Sequence, residues 1–590
     1  MAREKERSDA QERAEREERD QDPRNDAQAL NAVEILKRES RYLRGHIKEE
    51  LQNDAPKFSE ESVQILKFHG VYQQDDRDLR PKLKKEGKDR HWMMMVRARI
   101  PGGVLTPEQY LTFDRLADQY SDYGTLRLTD RQTIQLHGVV KSHLKATIRS
   151  IHEALLTTLG ACGDLVRNIV CCPAPGDDPS RAELREDMLA LADRLGARTN
   201  APYEIWLDGE PVELPEHQPE EPLYKEAYLP RKFKIALTPE GDNCVDVYAN
   251  DVGLVAHLDE GRRHVVGYTI LIGGGMGRAA HDVHTYPRVA SPFAYVPRER
   301  LVDVVTAIVT VYRDYGHRGE NRRLGRMKYL VEEKGIPWFR EAVEHRIGYR
   351  LAEPRRLVWE SSGDHLGWQR EEDGLSGLGL FIPSGRIQDT EAVRLKSALR
   401  DIVREFRPSI RLTAQQNIIL SGIRDEHRPD VEKRLREAGV PLPAELSTVR
   451  KNAMACVALP TCGLAVAEAE RILPDVVAAF ERLFEELGLS EEAITIRISG
   501  CPNGCSRPYV GEIAFVGRTL GKYEVYLGGD RFGTVLSERF REMVSLNELV
   551  ASVRPVLEAY VRERGPGEGF GAFVRRVGLE RFQSEEPRPS

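Results

Sequence analysis

Apolar residues recur along this chain with two periods, and the switches between the periods mark its elements. Apolar positions three and four apart predict short helices over 31–40 (NAVEILKRES) and 59–70 (SEESVQILKFHG). A β-rich run, WMMMVRARI at 92–100, reads as a strand ended by the turn Pro101-Gly102-Gly103. The segment 106–122 is a helix with Thr106 as N-cap and Pro107 at its first position. LRLTDRQTIQLHGV at 126–139 is a strand pair or a bent strand, and 143–160 is a second helix. Further on, 231–238 and 243–248 read as strands, and 265–272 as a strand running into the glycine loop 273–277. Helical spacing returns at 296–316 and 464–488, followed by a strand at 493–499 and a hairpin-like pair over 512–530.

One stretch of this pattern occurs twice. RARIPGGVLTPEQY…LRLTDRQTIQLHGV at 97–139 matches GLFIPSGRIQDTEA…IRLTAQQNIILSGI at 379–423, at an offset of 282 to 284 residues. Two copies so far apart predict duplicated halves packed together. They differ in charge: Arg127, Arg131, Gln135 and His137 of the first stand where the second has Arg411, Gln415, Ile419 and Ser421. That contrast predicts one copy serving a site and the other holding the scaffold, unless it is drift on a solvated face.

The expected organisation is a charged disordered tail (1–27), a first-copy region (28–155), an α/β domain (156–345), the second copy (346–440), a second α/β domain (441–565) and a tail (566–590). A chain of 590 residues is too long for one core. Its 40% hydrophobic and 31% charged content fits a soluble globular protein, and no apolar run is long enough to span a membrane. Eight cysteines in 590 residues make no disulfide framework and fit a reducing, cytoplasmic setting. The net charge of −7 without a basic block argues against nucleic acid as a partner.

Four of the cysteines fall in two frames, Cys456-x5-Cys462 (CVALPTC) and Cys501-x3-Cys505 (CPNGC). Structural zinc favours Cys-x2–4-Cys knuckles, which only the second pair meets. Four thiolates suffice for one [4Fe–4S] cluster. Cys171, Cys172 and Cys244 have no such frame and read as small buried side chains.

The two frames together resemble the assimilatory sulfite and nitrite reductases, and the duplicated segments resemble that family's repeat. The likeness runs from about residue 60 to 560. It implies an α+β, three-domain haemoprotein with pseudo-twofold internal duplication. It also implies that Cys456, Cys462, Cys501 and Cys505 hold a [4Fe–4S] cluster, with Cys505 also ligating sirohaem iron. By the same resemblance, Arg97, Arg167, Lys232 and Lys234 surround the substrate anion. Lys232 and Lys234 lie two apart on a predicted strand and so share a face. Arg127, Arg131, Gln135, His137, Asn168, Gly274, Gly275, Arg322, Arg326 and Lys328 are expected around the macrocycle carboxylates. Tyr72 and Cys162 resemble the active-site pair that is covalently joined in some ferredoxin-type sulfite reductases. The implied activity is six-electron reduction of sulfite to sulfide, with nitrite to ammonia as the alternative. The expected donor is ferredoxin and its rival a separate flavoprotein, since no flavin or NADPH domain is visible. One chain carries the whole site, so a monomer is expected.

Overall fold

A computed structural model describes residues 30–176, 179–211, 219–280 and 282–583, and the tail expected over 1–27 lies outside these. The two repeat copies each build a five-stranded sheet. The first contains Val71–Asp75, Trp92–Arg97, Ile134–Val139 and Leu126–Leu128, in that order. The second contains Gly367–Arg370, Leu375–Leu380, Ile418–Arg424 and Ser409–Leu412.

The fifth strand of each sheet comes from the other copy. Arg386–Ile387 pairs with the first sheet (Arg386↔Arg127, Ile387↔Leu126), and Val104–Leu105 pairs with the second (Ile410↔Leu105, Arg411↔Val104). This reciprocal exchange covers one edge strand of each sheet and makes the halves interdependent. It depends on glycine at Gly103 and Gly385, both with φ near +70°. A Cβ at Gly103 would lie 2.8 Å from the Leu412 carbonyl oxygen, and one at Gly385 would lie 2.5 Å from that of Leu128. The predicted helix after the first exchange strand forms at Pro107–Tyr120. Gln109 N donates to Thr106 Oγ1 (3.2 Å), and Thr106 N donates to Gln109 Oε1 (3.0 Å).

A second duplication relates the two larger sheets. One orders Val170–Cys171, Ile235–Pro239, Val252–Leu258, Val265–Ile272 and Ser291–Pro297. The other orders Ala453–Ala455, Ile496–Ser499, Ile513–Thr519, Lys522–Leu527 and Glu538–Ser545. In both, the strands are joined by two parallel and then two antiparallel pairings. Ile235↔Val252 in one sheet matches Ile496↔Ile513 in the other, a shift of 261 residues. Asp246 and Arg507 occupy equivalent places under that shift. Both are left-handed, and they are ion-paired to each other (Nε–Oδ2 2.5 Å). The chain is therefore a pseudo-twofold, internally duplicated mixed α/β structure.

Three expectations change at this level. Residues 243–248 do not form a strand. Asn243 turns the chain by accepting from Val247 N (2.9 Å), and a 3-10 turn follows at Val247–Ala249. The helix expected from 464 starts at Leu473, leaving 464–469 as irregular chain beside the cysteines. The expected tail after 565 folds as helices Phe570–Val577 and Glu580–Gln583, with Phe570 and Phe573 buried in the core of the last domain.

Candidate functional site

The cysteine frames meet at one end of the last sheet. Cys456 follows strand Ala453–Ala455, and its N–H donates to Ile498 O (3.1 Å). Cys501 and Cys505 lie just past strand Ile496–Ser499. Each of the four thiols interacts electrostatically with the other three. Among the described residues, the one ligand set tight enough for a single ion lies elsewhere. Mutual contact at wider separation suits a multi-iron cluster. Burial, then the neighbouring thiols, push the Cys501 thiol up to about 11, so bound metal is what would favour its thiolate. Gly500 N donates to Cys456 Sγ (3.3 Å) and Asn503 Nδ2 to Cys501 Sγ (3.4 Å), donors that suit cluster sulfurs. The loop admits no bulk: a Cβ on Gly500 would fall 2.5 Å from Ala458 Cβ and 2.6 Å from Ala467 O. Cys501 is buried, whereas Cys505 is exposed.

Lys234 lies close enough to Cys505 to feel its charge. Lys232 and Lys234 precede the strand that begins at Ile235, in extended chain bridged to Val166 through Phe233. Phe233 is fully buried and the flanking lysines are not, so the shared face expected from their spacing exists. Burial is the largest cause lowering both ammonium groups. Arg326 and Arg167 then depress Lys232 further, well below the usual lysine range. Asp130 partly restores Lys234, which stands at about 8. Two lysines held against their charged state by burial and neighbouring cations make a site suited to a small anion.

Arg97, Gln135, Arg127 and Arg386 stand in register across four adjacent strands. With its amide oriented so that the oxygen faces the guanidinium, Gln135 accepts from Arg97 Nε (3.0 Å) and donates to His137 Nε2 (3.3 Å), leaving the buried His137 Nδ1 without a partner. Burial holds His137 well below its usual range, hence neutral. Arg97 Nη1 reaches Cys162 Sγ at 3.1 Å. Tyr72 adjoins the same thiol, and its phenol is pushed up to about 12 by burial and then by Cys162. Arg167 interacts with both Tyr72 and Cys162. Arg326 is clamped by Asp251 (3.1 Å to each oxygen), whose Oδ2 also accepts from Lys234 N (2.9 Å). Buried Nε atoms of Arg131, Arg322 and Arg326 have no partner. These orphaned donors fit the carboxylates of a polyanionic macrocycle.

Several residues expected at the macrocycle are already engaged with protein. Asn168 donates to Ile100 O (2.7 Å) and Arg131 O (2.8 Å) and accepts from Ile100 N (2.8 Å), fastening two chain segments. Lys328 donates to Gly275 O (3.1 Å), Gly277 O (2.8 Å) and Tyr286 O; burial lowers it to about 6. Gly275 N–H is spent on Arg288 O (2.7 Å). Gly274 is glycine because a Cβ would lie 2.2 Å from Tyr248 O. The glycine loop nevertheless touches the cluster loop, Arg278 N donating to Pro502 O (3.0 Å). Arg127 is fully buried, paired with Glu470 (3.0 Å) and donating to Ala455 O (3.1 Å). Arg322 is paired with Asp164.

Residues missed from sequence are the acids that aim these cations. Asp251, Asp164 and Glu470 carry no motif. Asp164 is held at about 2 by Arg322, Lys37 and Arg231, which outweigh its burial. Arg386 and Arg127 do the same for Glu470.

Two family profiles match the chain, each twice. The nitrite and sulphite reductase 4Fe-4S domain covers 190–351 and 447–587. The nitrite/sulfite reductase ferredoxin-like half domain covers 85–154 and 369–438. A sulfite reductase [NADPH] hemoprotein beta-component from Staphylococcus carnosus is 42% identical over 551 residues, 93% of this chain and 96% of that one. Its counterpart from Geobacillus kaustophilus is 43% identical over 550 residues, covering 93% and 95%. The solved structure of Mycobacterium tuberculosis NirA protein superposes with a TM-score of 0.76 at 24% identity, covering 95% of this chain and 99% of that one, and shares the fold.

These relatives overturn one expectation. Ferredoxin as electron donor, and with it a ferredoxin-dependent sulfite reductase, rested on the likeness of Tyr72 and Cys162 to a pair in ferredoxin-type enzymes. The relatives that align over nearly their whole length are instead named as NADPH enzymes. The chain belongs to the nitrite and sulphite reductase family and has that family's sirohaem- and [4Fe–4S]-binding architecture.

Proposed function

We propose that this chain is the haemoprotein component of an NADPH-fed sulfite reductase. A separate flavoprotein would supply its electrons, and sulfite would be reduced to sulfide in the space between Cys505 and the cation wall. The observation that carries this reading is the four-cysteine frame beside a wall of buried cations, in which Asp251 holds both the Arg326 guanidinium (3.1 Å) and Lys234 N (2.9 Å). The names of the relatives support the donor.

When bound, sirohaem and the [4Fe–4S] cluster supply single electrons in succession. The chain's own residues do the rest. Cys456, Cys462, Cys501 and Cys505 hold the cluster, Cys505 facing the space where sirohaem would bind. Arg97, Arg167, Lys232 and Lys234 bind the small anion, whose charge offsets the burial and the neighbouring cations that lower both lysines. Lys234 donates protons as oxygen leaves as water, since an ammonium near pKa 8 is a competent acid at neutral pH, and Lys232 joins it once the bound anion favours its charged form. Tyr72 and Cys162 brace Arg97 and Arg167. Arg131, Arg322, Arg326, Gln135 and His137 would hold the macrocycle carboxylates, with Asn168, Lys328, Gly274 and Gly275 shaping the backbone around them and Arg127 held by Glu470.

The test is reconstitution of the purified holoprotein with a flavoprotein NADPH:sulfite-reductase subunit. NADPH oxidation that depends on sulfite and yields sulfide is the expected result. Absence of NADPH-driven turnover, in a preparation that turns over with a chemical reductant, would refute the donor.

A further inference from the structure

The pseudo-twofold relation places a second ligand cluster opposite the first. Cys172 N donates to Leu237 O (3.0 Å) as Cys456 N donates to Ile498 O (3.1 Å), and the 261-residue shift carries 237 to 498 and Cys244 to Cys505. Cys172 and Cys244 are thus the counterparts of two cluster cysteines. The shift also sets Glu240 opposite Cys501, and Glu240 is occupied with His257 (2.8 Å), so no four-thiolate frame forms. Two other residues complete the set, Asp242 and His365.

We propose that Cys172, Asp242, Cys244 and His365 form a tetrahedral metal site, distinct from the cluster, whose donor set selects zinc. Their four ligand atoms all lie within 4.8 Å of one another. Cys172 Sγ is 3.5 Å from His365 Nε2 and 3.7 Å from Asp242 Oδ2, and the last two are 3.3 Å apart. Zinc bonds of about 2.3 Å to sulfur and about 2.0–2.1 Å to nitrogen or oxygen give tetrahedral edges of roughly 3.5 Å for S···N and S···O and roughly 3.3 Å for N···O. The three edges among Cys172, Asp242 and His365 match to about 0.2 Å, and Cys244 Sγ lies within 4.8 Å of all three. Two soft and two borderline-to-hard donors suit Zn2+ better than Mg2+ or Ca2+.

The ligands are held from behind, as metal ligands are. Cys244 N donates to Asp242 Oδ1 (3.1 Å), leaving Oδ2 aimed at the set. Arg181 Nη1 approaches Cys172 Sγ at 3.8 Å. The loop bearing His365 is pinned through Asp364, whose Oδ2 accepts from Thr413 Oγ1 (2.6 Å) and Asn417 Nδ2 (2.8 Å). It lies against strand Leu375–Leu380 at Gly379, where any Cβ would fall 1.8 Å from His365 O. Asn243 N, donating to Ser361 O (2.8 Å), ties the two loops beside the site. Four protein ligands leave no open position, so the site is structural: it clamps the first large sheet to the second repeat copy. The cysteines read from sequence as small buried side chains therefore have a ligand role in this reading.

The experiment is metal analysis with zinc K-edge X-ray absorption on the full holoprotein grown with zinc. One zinc per chain is expected, in a shell of two sulfurs at about 2.3 Å and two lighter atoms at about 2.0–2.1 Å. His365→Ala and Asp242→Asn should each lower retained zinc roughly tenfold or more after dialysis against a chelator, in line with the affinity carried by one ligand. The sirohaem and cluster absorption should stay unchanged in both. Three results would overturn the proposal: zinc below about a tenth per chain in the wild type even after Zn2+ is added; an all-sulfur shell, which would put zinc in the cluster frame; or a Cys172–Cys244 disulfide found by mass spectrometry. The wild-type spectrum decides the matter even if a variant fails to fold.

Discussion

Replacing Lys234 by methionine removes one charge while keeping most of the side-chain volume. The ammonium stands at about 8 rather than 10.5, chiefly because it is buried and secondarily because cations crowd it. At about 1.4 kcal/mol per pKa unit, its surroundings hold roughly 3 kcal/mol against that charge. A bound anion that loses oxygen as water can recover this energy as the reaction proceeds. Removing one preorganised donor from a water-poor site typically costs about 3–4 kcal/mol. On that scale, Lys234→Met should lower kcat/KM for sulfite by ~10²-fold or more. The assay is sulfide release driven by reduced methyl viologen, which bypasses the physiological donor, with the absorption spectrum confirming cofactor content. A fall of less than threefold at neutral pH, with cofactors intact, would show that Lys234 does not meet the substrate.

Other outcomes follow from the same structure. Lys234 loses its proton as pH rises through its folded pKa, so kcat/KM should show an alkaline limb at or above about pH 8; Lys234→Arg should move that limb out of range, and an unchanged limb would assign it to another group. Glu470 bridges Arg127 and Arg386, and its pKa is depressed to about 2. Its contribution, on the order of 3 kcal/mol, is complete above its unfolded pKa near 4.5 and is lost as pH falls toward about 2. Glu470→Gln should accordingly lower stability to denaturant at pH 7 by ~3 kcal/mol, and equal stabilities would refute the bridge. Gly500→Ala must displace Ala458 or the Ala467 backbone, so iron and acid-labile sulfide should fall together; full cluster occupancy in the variant would contradict the packing.

The parts of the site legible in the sequence are those with local signals. The two cysteine frames lie at one end of one sheet, and Lys232 and Lys234 alternate with buried Phe233 as a two-residue period requires. The first duplication was visible because its shift is almost constant, 282 for Val104 to Arg386 and 284 for Arg127 to Arg411. The second was hidden. Its first strands are 284 apart by pairing (Val170 to Met454), but Ile235 to Ile496 is 261 and Ser291 to Glu538 is 247, so insertions erase any fixed offset. The same drift concealed the relation of Cys172 and Cys244 to the cluster cysteines. Asn168 and Lys328 were read as cofactor contacts because cations and amides near a polyanion invite that reading. Their partners are carbonyls tens of residues away, such as Ile100 O and Gly275 O, which only the folded chain brings near. The strand expected at 243–248 failed at Asp246, whose left-handed backbone no alternation pattern reveals.

The central claim is that sulfite is the substrate reduced in the space between Cys505 and the lysines. The most direct test is to give the purified holoprotein reduced methyl viologen with sulfite and with nitrite in separate reactions, and to measure sulfide and ammonia. Sulfide release with the higher kcat/KM for sulfite, abolished by Cys505→Ala, is the predicted result. A clear preference for nitrite, or sulfide release that survives Cys505→Ala, would contradict it.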